Sequence, residues 1–531
     1  MTNDGKDDMS TTENPAVAHD RRIRVLLVLE SQGGSRRHVV DLIDGLDPAR
    51  FELALVYGTS RMDEQFVADL PRLRRRALMI PCDDLVRPVS PRHELAALRQ
   101  VRRAIRRFQP DVVHCHSSKA GIIGRLAARL EHVPAVFYTP HAYSFQAPEF
   151  AGRKRRVFVG LERWFARHAT TRTFNVSEGE RRAALAEGLG DPDHFRTIVN
   201  GVPDGPVPSR REARLALGVP AEAMDAPIVG VTARMVEQKD PLTFARVAAR
   251  VIAAYPDVWF AYVGDGPLRG DFEECLREAG DDIAAHVLMP GYRTDADQIV
   301  AAFDVYLLTS LYEGMPYSLI EALRAGVPVV ASHVTGNDEV VESGVNGALF
   351  APGDDAAAAR AVERLLLEAP LDKAAVRGSY LRRFTADAMV AAIAANYEEA
   401  VARTEVLRLA SARSERHDGG ARPGRQKDGA RSGRRRSVTR SGRQRDGARS
   451  ARPSSVVILS GAASSGEIEG SRSGEEADGG PSARCRSLRT TRERGLPGAT
   501  RERGLPGATR ERRSPWATWT WNRNHREGDD A

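Results

Sequence analysis

Two cations stand five residues apart in the segment "VTARMVEQKDP". This segment lies at the end of an apolar stretch that is long enough to form a strand. Arg234 and Lys239 are predicted to lie just beyond the carboxyl end of that strand, where α/β sheets bind their ligands. An arginine grips phosphate oxygens with a planar fork and a lysine acts as a point charge, so the pair suits a diphosphate. Taken alone, the two residues also fit a solvated charged turn.

Two glycine-containing loops favour the same kind of ligand. "VGDGPLR" places Gly264 and Gly266 after another predicted strand, and "ESQGGSRRHVV" places Gly33 and Gly34 between the first strand and a helix. Glycines let backbone N–H groups approach a ligand, and a helix N-terminus offers free N–H groups to an anion. Each loop alone is weakly diagnostic, because Gly-Asp-Gly-Pro is usually a turn and the glycine pair departs from the full dinucleotide fingerprint.

Two glutamates, Glu313 and Glu321, stand eight positions apart in "YEGMPYSLIEALRAG". On one continuous helix they would point roughly 80° apart, so they would not share a face. Pro316 suits the first position of a helix, where no amide hydrogen bond is lost. We therefore predict that Glu313 belongs to a loop after the strand "FDVYLLTS" and that Glu321 lies on the following helix.

The elements that must position these residues alternate between strand and helix. One series runs from "IRVLLVLE" to "RTIVNGV", and a second begins at "PIVGVTARM" after a segment rich in proline and glycine. Alternation of this kind predicts parallel sheets that are covered on both faces. We expect an α/β protein with two Rossmann-like domains, residues 21–203 and 204–385, facing each other across a cleft. Residues 386–409 are predicted to form a helix that crosses back to the first domain.

Composition separates this body from both ends of the chain. From Thr404 onward there are 28 Arg or Lys against 16 Asp or Glu, whereas the whole chain of 531 residues carries a net charge of +7. The basic balance is therefore a property of the tail. Residues 1–20 are polar and acidic, and the tail is rich in Arg, Gly and Ser. Segments of such composition cannot bury enough apolar surface to offset chain entropy, so residues 1–20 and 410–531 are predicted to be disordered.

The ordered body resembles the retaining glycosyltransferases of the GT-B fold. That large family, also called glycosyl transferases group one, includes bacterial glycogen synthases, sucrose synthases and lipopolysaccharide and mannolipid glycosyltransferases. The matching segments occur in the family's order between residues 21 and 403, and the tail lies outside them. They are the Gly33–Gly34 loop with His38, "TPHAYSF", "NVSEGE", "IVNGVP", Arg234 with Lys239, "VGDGP", Gly291, "SLYEGMPYSLIEALRAGVPVVAS" and "VNGALFAPGD".

The resemblance implies roles for individual residues. In the family, the first glutamate of the pair faces hydroxyls of the donor sugar and the second binds the ribose hydroxyls, which here are Glu313 and Glu321. Arg234 and Lys239 match the cations that bind the donor diphosphate. His141 matches a histidine beside the sugar, although Ala142 follows it where glycine is common. The expected nucleotide-sugar-binding residues are Gly33, Gly34, Gly264, Gly266, Gly291, Gly314, Met315, Pro316, Ser318 and Glu321.

Two other chemistries that use carboxylates are disfavoured. Hydrolytic glycosidases place two carboxyl groups about 5–10 Å apart across the bond, whereas the resemblance implies a front-face transfer in which Glu313 only positions the donor. Asp295-Ala-Asp297 is similar to the metal-binding triplet of the other main glycosyltransferase fold. Asp295 is better interpreted as the N-cap of the helix that follows, so we expect no cofactor and no essential metal.

The segment "RHELAALRQVRRAIRRFQP" predicts a basic amphipathic helix. Leu95, Leu98, Val101, Ile105 and Phe108 fall along one side of it, and most of the arginines fall on the other. Such a helix is either a solvated surface helix or a peripheral contact with anionic lipid, which "GRKRRVF" at 152–158 would extend. The chain shows neither a signal peptide nor an apolar run of membrane-spanning length, so we expect a cytoplasmic location, with possible attachment to the inner face of the membrane.

The resemblance therefore implies an enzyme that moves a hexose from a UDP- or GDP-sugar, with retention, to an envelope glycan, a lipid-linked acceptor or a small molecule. The alternatives are a sugar-nucleotide epimerase of the same fold and a catalytically silent sugar-nucleotide binder. Nucleic acid is not expected as a partner, although Arg-Gly-rich disorder can bind phosphates. All the motifs above are shared by UDP- and GDP-sugar enzymes, so they do not identify the nucleotide.

Overall fold

The computed structural model describes residues 21–30, 33–60, 62–146 and 152–418. The predicted disorder of residues 1–20 and most of the predicted disordered tail lie outside these ranges. The final helix continues to Asp418, past the predicted boundary at residue 409.

The first domain is built on a parallel sheet whose strands lie in the order β3-β2-β1-β4-β5-β6-β7 within the described residues. Its central strand is fully buried from Val25 to Val28, as expected when helices cover both faces. The strands are β1 (Ile23–Leu29), β2 (Phe51–Gly58), β3 (Ala77–Cys82), β4 (Val112–His116), β5 (Ala135–Thr139), β6 (Arg172–Asn175) and β7 (Phe195–Thr197). The helices are α1 (Gly34–Gly45), α2 (Glu64–Leu73), α3 (Pro91–Phe108), α4 (Ser118–Leu130), α5 (Arg153–His168) and α6 (Glu178–Ala186).

The second domain repeats this arrangement with the strand order β10-β9-β8-β11-β12-β13, and all of its described strand pairs are parallel. The strands are β8 (Ile228–Thr232), β9 (Trp259–Val263), β10 (Val287–Gly291), β11 (Val305–Leu308), β12 (Val329–Ser332) and β13 (Gly347–Phe350). The helices are α7 (Arg210–Leu217), α8 (Pro241–Ala254), α9 (Arg269–Ala279), α10 (Asp281–Ala285), α11 (Ala296–Ile299), α12 (Tyr317–Arg324), α13 (Asn337–Val340), α14 (Asp355–Glu363) and α15 (Lys373–Arg383).

A last helix, α16 (Ala386–Asp418), connects the second domain back to the first. Val202 exchanges backbone hydrogen bonds with Phe384 and Ala386, at 2.9 Å each, where the chain enters this helix. The side chains of α16 that enter the first domain's core are Met389, Val390, Ile393, Ala394, Tyr397 and Val401. The helix therefore shares a hydrophobic core with the first domain, although it follows the second in sequence.

One local prediction about a helix start is wrong by one residue, and another is confirmed in position but not in its hydrogen bond. Helix α12 begins at Tyr317 and not at Pro316, whose backbone is extended with φ −75° and ψ 125°. Asp295 precedes α11, but its carboxylate makes no capping bond. The nearby Arg293 guanidinium donates to both of its oxygens, at 2.9 and 2.8 Å, and this bidentate pair outcompetes the cap.

Candidate active site

A cleft of about 1220 Å³ opens where the loops after the strands of both sheets face each other. Loops following β1, β4, β5 and β6 line its first-domain side, and loops following β8, β9, β10 and β11 line its second-domain side. The predicted site residues that line the cleft are Gly33, Gly34, His141, Arg234, Lys239, Gly264, Glu313, Gly314, Met315, Pro316, Ser318 and Glu321. The fold thus brings these distant segments to one place.

Gly266 and Gly291 are absent from the described residues that line the cleft. A Cβ on Gly266 would lie 2.4 Å from the carbonyl oxygen of Met235, so this glycine allows close backbone packing. Gly291 ends β10 with φ +79°, a conformation that favours glycine. Both residues shape loops beside the cleft, and neither contacts it.

Gly264 combines a position in the cleft with a packing role. Its φ is +149°, and a Cβ there would lie 1.9 Å from the carbonyl oxygen of Ala233. The loop after β9 therefore packs directly against the loop that carries Arg234. Tyr262 supports the same loop, because its hydroxyl donates to the Arg234 carbonyl at 3.3 Å.

Lys239 and Glu313 meet across two loops of the second domain. The Lys239 ammonium forms an ion pair with Oε1 of Glu313, and the Ser310 hydroxyl donates to the same oxygen at 2.7 Å. Gln238 ties the two loops together, because its side-chain amide donates to the Tyr312 carbonyl at 3.0 Å. The Glu313 carboxylate is thereby held in a fixed orientation at the cleft surface.

Glu321 lies on α12 opposite helix α1 of the first domain. Burial raises the pKa of Glu321 to about 7 and the pKa of Asp41 also to about 7. The Arg37 guanidinium lies between them, 3.1 Å from Asp41 and 3.8 Å from Glu321. Arg37 and Asp41 were not among the predicted site residues, although their (i, i+4) spacing on one helix face is a signal that the sequence contains.

His141 lies on a loop with unusual backbone geometry. His141 has φ +54° and Ala142 has φ +82°, both in the left-handed region that favours glycine. The carboxylate of Glu180 holds this loop, since it accepts from the Ala142 N–H at 2.7 Å and from the Val176 N–H at 2.8 Å. The alanine that replaces the family's glycine is thus accommodated, and His141 reaches the cleft.

His141 is half-buried and lies beside two buried imidazoles, His38 and His116. We call these three residues the histidine cluster. Burial lowers the pKa of His38 to about 4 and lowers the pKa values of His116 and His141 well below the ordinary value. The rings are therefore neutral at physiological pH. The Nδ1 atom of His38 lies 3.2 Å from Oδ1 of Asn200, whose amide in turn donates to the carbonyl of Met315 at 2.9 Å. The cluster is thus connected to the loop that opens α12.

A carboxylate of the second domain also contacts the first domain. Glu339 accepts from the backbone N–H groups of Glu178 and Gly179, at 2.7 and 2.6 Å. These groups belong to the first turn of α6, where an anion is favoured by the helix dipole. Glu339 therefore stabilises the approach of the two domains.

The predicted basic helix exists as α3, and Val101, Ile105 and Phe108 of its predicted apolar side are buried. Leu95 is 48% exposed, and the side chains that α3 buries are Ala97, Val101, Ala104, Ile105 and Phe108. Arg102 and Arg106 are occupied within the protein, because both donate to Glu131 at 2.6 to 2.8 Å. These two charges are consequently less available for an external partner.

Helix α5 presents a different surface. Val157, Leu161 and Trp164 follow the spacing of one helix face and are 61%, 39% and 41% exposed. Exposed basic side chains of the same helix flank them at Arg153, Lys154, Arg156, Arg163 and Arg167. In the part of the chain that the structure describes, no helix has the length and apolar character to cross a bilayer.

Comparison with known proteins agrees with this architecture. A family model described as Glycosyl transferases group 1 matches residues 226–368, and one for a glycosyl transferase 4-like domain matches residues 33–201. The chain is 31% identical over 285 residues to the Escherichia coli UDP-Gal:alpha-D-GlcNAc-diphosphoundecaprenol alpha-1,3-galactosyltransferase. The matched region covers 52% of this chain and 72% of that protein. It is 30% identical over 321 residues to the 2-deoxystreptamine glucosyltransferase of Streptomyces kanamyceticus, covering 56% and 78% respectively.

Among solved structures, the chain is similar to HepE of Anabaena in complex with UDP and glucose. The TM-score is 0.59 at 21% sequence identity, and the likeness covers 71% of this chain and 100% of that one. A sucrose-phosphate synthase from Thermosynechococcus elongatus gives a TM-score of 0.61 at 19% identity, covering 72% and 100%. The fold is therefore GT-B, and the chain belongs to the group 1 family of glycosyltransferases.

Proposed function

We propose that this glycosyltransferase moves a hexose from a UDP-sugar to a lipid-linked glycan, with retention of anomeric configuration. The observation that carries the proposal is the second-domain side of the cleft, where two cations and two carboxylates surround the N-terminus of α12. The same edge of one sheet thus offers groups for a diphosphate and for sugar hydroxyls.

Arg234 and Lys239 are assigned to the donor diphosphate. Cleavage of the sugar–phosphate bond leaves negative charge on the departing oxygen, which preorganised cations and a helix N-terminus stabilise. Glu321 accepts from the ribose hydroxyls, and Glu313 accepts from hydroxyls of the hexose. A hydrogen bond to a charged acceptor typically contributes about 1.5–3 kcal/mol.

The position of Glu313 supports a retaining transfer without an enzymic nucleophile. Its carboxylate already binds the Lys239 ammonium and the Ser310 hydroxyl, and both contacts reduce its nucleophilicity. The departing phosphate would then help to deprotonate the acceptor on the same face of the sugar. Anomeric analysis of the product by NMR tests this, because an inverted product is incompatible with the proposal.

UDP is the proposed nucleotide, with GDP as the alternative donor class. The E. coli relative uses UDP-Gal by its name, and HepE was solved with UDP-glucose. A thermal-shift panel of UDP-, GDP- and ADP-sugars discriminates among donors, because binding to the folded state raises stability by RT ln(1 + [L]/Kd). Stabilisation by a GDP-sugar and not by UDP-sugars would replace the nucleotide assigned here.

The acceptor assignment rests on α5 and on the lipid-linked acceptor named for the E. coli relative. An apolar stripe with basic residues on both sides suits a helix lying at an anionic membrane surface. We propose peripheral attachment there, on the cytoplasmic face of the membrane. The acceptor test is incubation of the full chain with UDP-glucose or UDP-Gal and a diphosphate-linked GlcNAc lipid, followed by product analysis. Transfer only to a soluble aminocyclitol would favour a small-molecule acceptor.

Attachment is tested by flotation with vesicles that contain anionic lipid. We expect Leu161→Asp with Trp164→Asp to abolish it and Arg103→Gln with Arg107→Gln to weaken it, whereas Arg102→Gln with Arg106→Gln should change it least. Binding by the wild-type chain should fall as salt rises, since exposed charges are screened within about 10 Å at 0.1 M salt. Indifference to the α5 variant would contradict the membrane assignment.

Transfer is proposed to need no metal ion, because Arg234, Lys239 and the helix N-terminus supply the positive charge. We expect activity to persist after exhaustive dialysis against EDTA. A strict requirement for added Mn²⁺ would overturn this part of the proposal.

A further inference from the structure

We propose that the histidine cluster is a binding site for a divalent cation of the zinc class, and that occupancy of this site inhibits transfer. This goes beyond the proposed function, because two of the three residues, His38 and His116, have no role in donor binding that would explain them.

The geometry of the three rings fits a shared metal ion. One nitrogen from each of His38, His116 and His141 can be chosen so that all three lie within 4.8 Å of one another. Nδ1 of His116 and Nε2 of His141 are 3.2 Å apart. These two nitrogens form a hydrogen bond. Two imidazoles on one tetrahedral zinc at about 2.0–2.1 Å would place their nitrogens about 3.3 Å apart, so the pair would keep its separation while the two rings turn toward the ion. A modest rotation of His38 completes the set.

Hydrogen bonding prepares His38 for coordination. Its Nδ1 faces Oδ1 of Asn200, which can only accept, so the proton resides on Nδ1 and Nε2 presents a lone pair. A second-shell acceptor of this kind is what orients metal-binding histidines. Within the described residues, the buried Nε2 atoms of His38 and His116 have no hydrogen-bond partner. Buried polar atoms without partners are costly, and a metal ion bound by Nε2 of His38 would satisfy that atom. Because His116 would bind through Nδ1, its Nε2 would stay outside the coordination shell.

His114 shows how a structural histidine in the same place differs. Both of its nitrogens are engaged, with the Tyr397 hydroxyl at 2.6 Å and with the Thr139 hydroxyl at 2.8 Å. It shares strand β4 with His116, two residues away, yet it has no free lone pair to offer. The three residues of the cluster are therefore candidate ligands, and the adjacent His114 is committed to packing.

The ligand chemistry selects the ion. Three neutral imidazoles favour Zn²⁺ and its neighbours Co²⁺, Ni²⁺ and Cu²⁺ over Mg²⁺ and Mn²⁺, which prefer oxygen. His141 reaches the cleft, whereas His38 and His116 lie below it, so the remaining coordination position opens toward the cleft. A metal ion held there draws the His141 imidazole away from the sugar and occupies the space beside it. Inhibition is the expected consequence.

Direct binding is tested on the full chain with the metal alone. We expect one equivalent of Zn²⁺ by equilibrium dialysis after EDTA treatment, and a visible Co²⁺ spectrum typical of four-coordinate nitrogen ligation. His116→Asn and His38→Asn should each weaken Zn²⁺ binding at least tenfold. His194→Asn removes another histidine outside the cluster and should bind like the wild type. Apo variants are compared by thermal unfolding, so that loss of the site is separated from loss of the fold.

The inhibitory step is tested separately, with any donor that supports transfer. Zn²⁺ should abolish transfer at the concentration that saturates the site, EDTA should restore it, and the residual activity of His116→Asn should resist Zn²⁺ at that concentration. Mg²⁺ should have no effect. The absence of a saturable Zn²⁺ site, equal affinity in folded His116→Asn and His38→Asn, or a six-coordinate Co²⁺ spectrum would overturn the proposal. Failure to find a donor would leave the binding result standing and would bear only on the proposed function.

Discussion

Two groups of residues at the cleft differ in charge and in how they are spaced along the chain: the second-domain motifs, which we call the charged side, and the first-domain histidine cluster, which we call the neutral side. On the second-domain side, Arg234, Lys239, Glu313 and Glu321 carry charge and belong to short motifs after β8 and β11. On the first-domain side, the histidine cluster is neutral and is assembled from α1, β4 and the loop after β5. The comparison suggests that one side recognises the charged donor and that the other surrounds the bond that is made.

The largest effect is expected on the charged side. Lys239→Ala should lower kcat/KM about 100-fold, near the 2.7 kcal/mol that removal of one preorganised donor costs. Arg234→Ala should have a similar effect. Steady-state kinetics with the preferred UDP-sugar measures both.

The matched control is Arg250→Ala, which removes a cation of helix α8 that pairs with Asp355. Its kcat/KM should stay close to that of the wild type. Wild-type kinetics in the Arg234 and Lys239 variants would be incompatible with a diphosphate site at these residues and would remove the contrast between the two sides.

On the neutral side, the sharpest test is Glu180→Gln. One carboxylate oxygen becomes an NH₂ group that faces a backbone N–H, so the loop that carries His141 loses an acceptor worth about 1–3 kcal/mol when buried. We expect kcat to fall about tenfold, since 1.4 kcal/mol corresponds to tenfold in rate, while the Kd for UDP stays constant.

Glu187→Gln is the control for that variant. Glu187 caps the C-terminal end of α6 and forms an ion pair with Arg155 at the surface. A parallel loss of UDP affinity in Glu180→Gln would show that the His141 loop also supports the donor. The functional division between the two sides would then be wrong.

The second-domain side could be predicted from sequence because its chemistry is local. Gly314 and Pro316 predict a turn between Glu313 and Glu321. The apolar run before Glu313 predicts the strand that precedes this turn. Only the exact helix start was missed, because proline fits the residue before a helix as well as its first position. The sequence could not predict that Gly266 and Gly291 lie outside the cleft lining. A glycine needed for backbone packing and a glycine needed for close approach of a ligand look alike in sequence.

The first-domain side could not be predicted in the same way, because its contacts join residues far apart in the chain. His38 and His116 are separated by two further strands, and the Asn200 that orients His38 follows 162 residues later. One signal was present in the sequence. His114 and His116 are two residues apart on one strand, so both side chains point to the same face of the sheet. That pattern does not predict that His38 of α1 joins the cluster. It also does not predict that His114 is hydrogen-bonded through both nitrogens whereas Nε2 of His116 has no hydrogen-bond partner among the described residues.

A third prediction concerns the pH dependence of donor binding at Glu321. Because burial raises its pKa to about 7, the carboxylate is largely protonated below that pH and then accepts poorly from ribose hydroxyls. We expect the affinity for UDP to fall as pH drops below 7, by up to tenfold per pH unit for one required deprotonation. Glu321→Gln should bind more weakly above pH 7 and lose the dependence. Isothermal titration from pH 5.5 to 8.5 measures this.

Asp41 has a pKa raised to the same value, so Asp41→Asn is the necessary comparison. If Glu321 controls binding, the Asp41 variant keeps the pH dependence with a shifted midpoint. A pH-independent Kd in the wild type, or a dependence that survives in Glu321→Gln, would exclude the ribose role of Glu321 as stated.

The smallest effect is expected where the two sides touch without substrate, at Glu339. Its carboxylate binds the free N–H groups that begin α6, an arrangement typically worth about 0.3–1 kcal/mol and up to about 2 when partly buried. Gly179 permits the contact, since a Cβ there would lie 2.7 Å from the Thr335 methyl group. Glu339→Gln keeps an acceptor and loses the charge, so we expect KM to rise two- to fivefold with kcat nearly unchanged. Glu342→Gln, at an exposed position, should leave KM unchanged.

Small-angle scattering without donor should show a larger radius of gyration for the Glu339 variant, because the closed arrangement loses part of its stabilisation. An unchanged radius together with an unchanged KM would mean that the two domains approach without this carboxylate, through contacts such as the hydrogen bond from the Asn200 amide to the Met315 carbonyl.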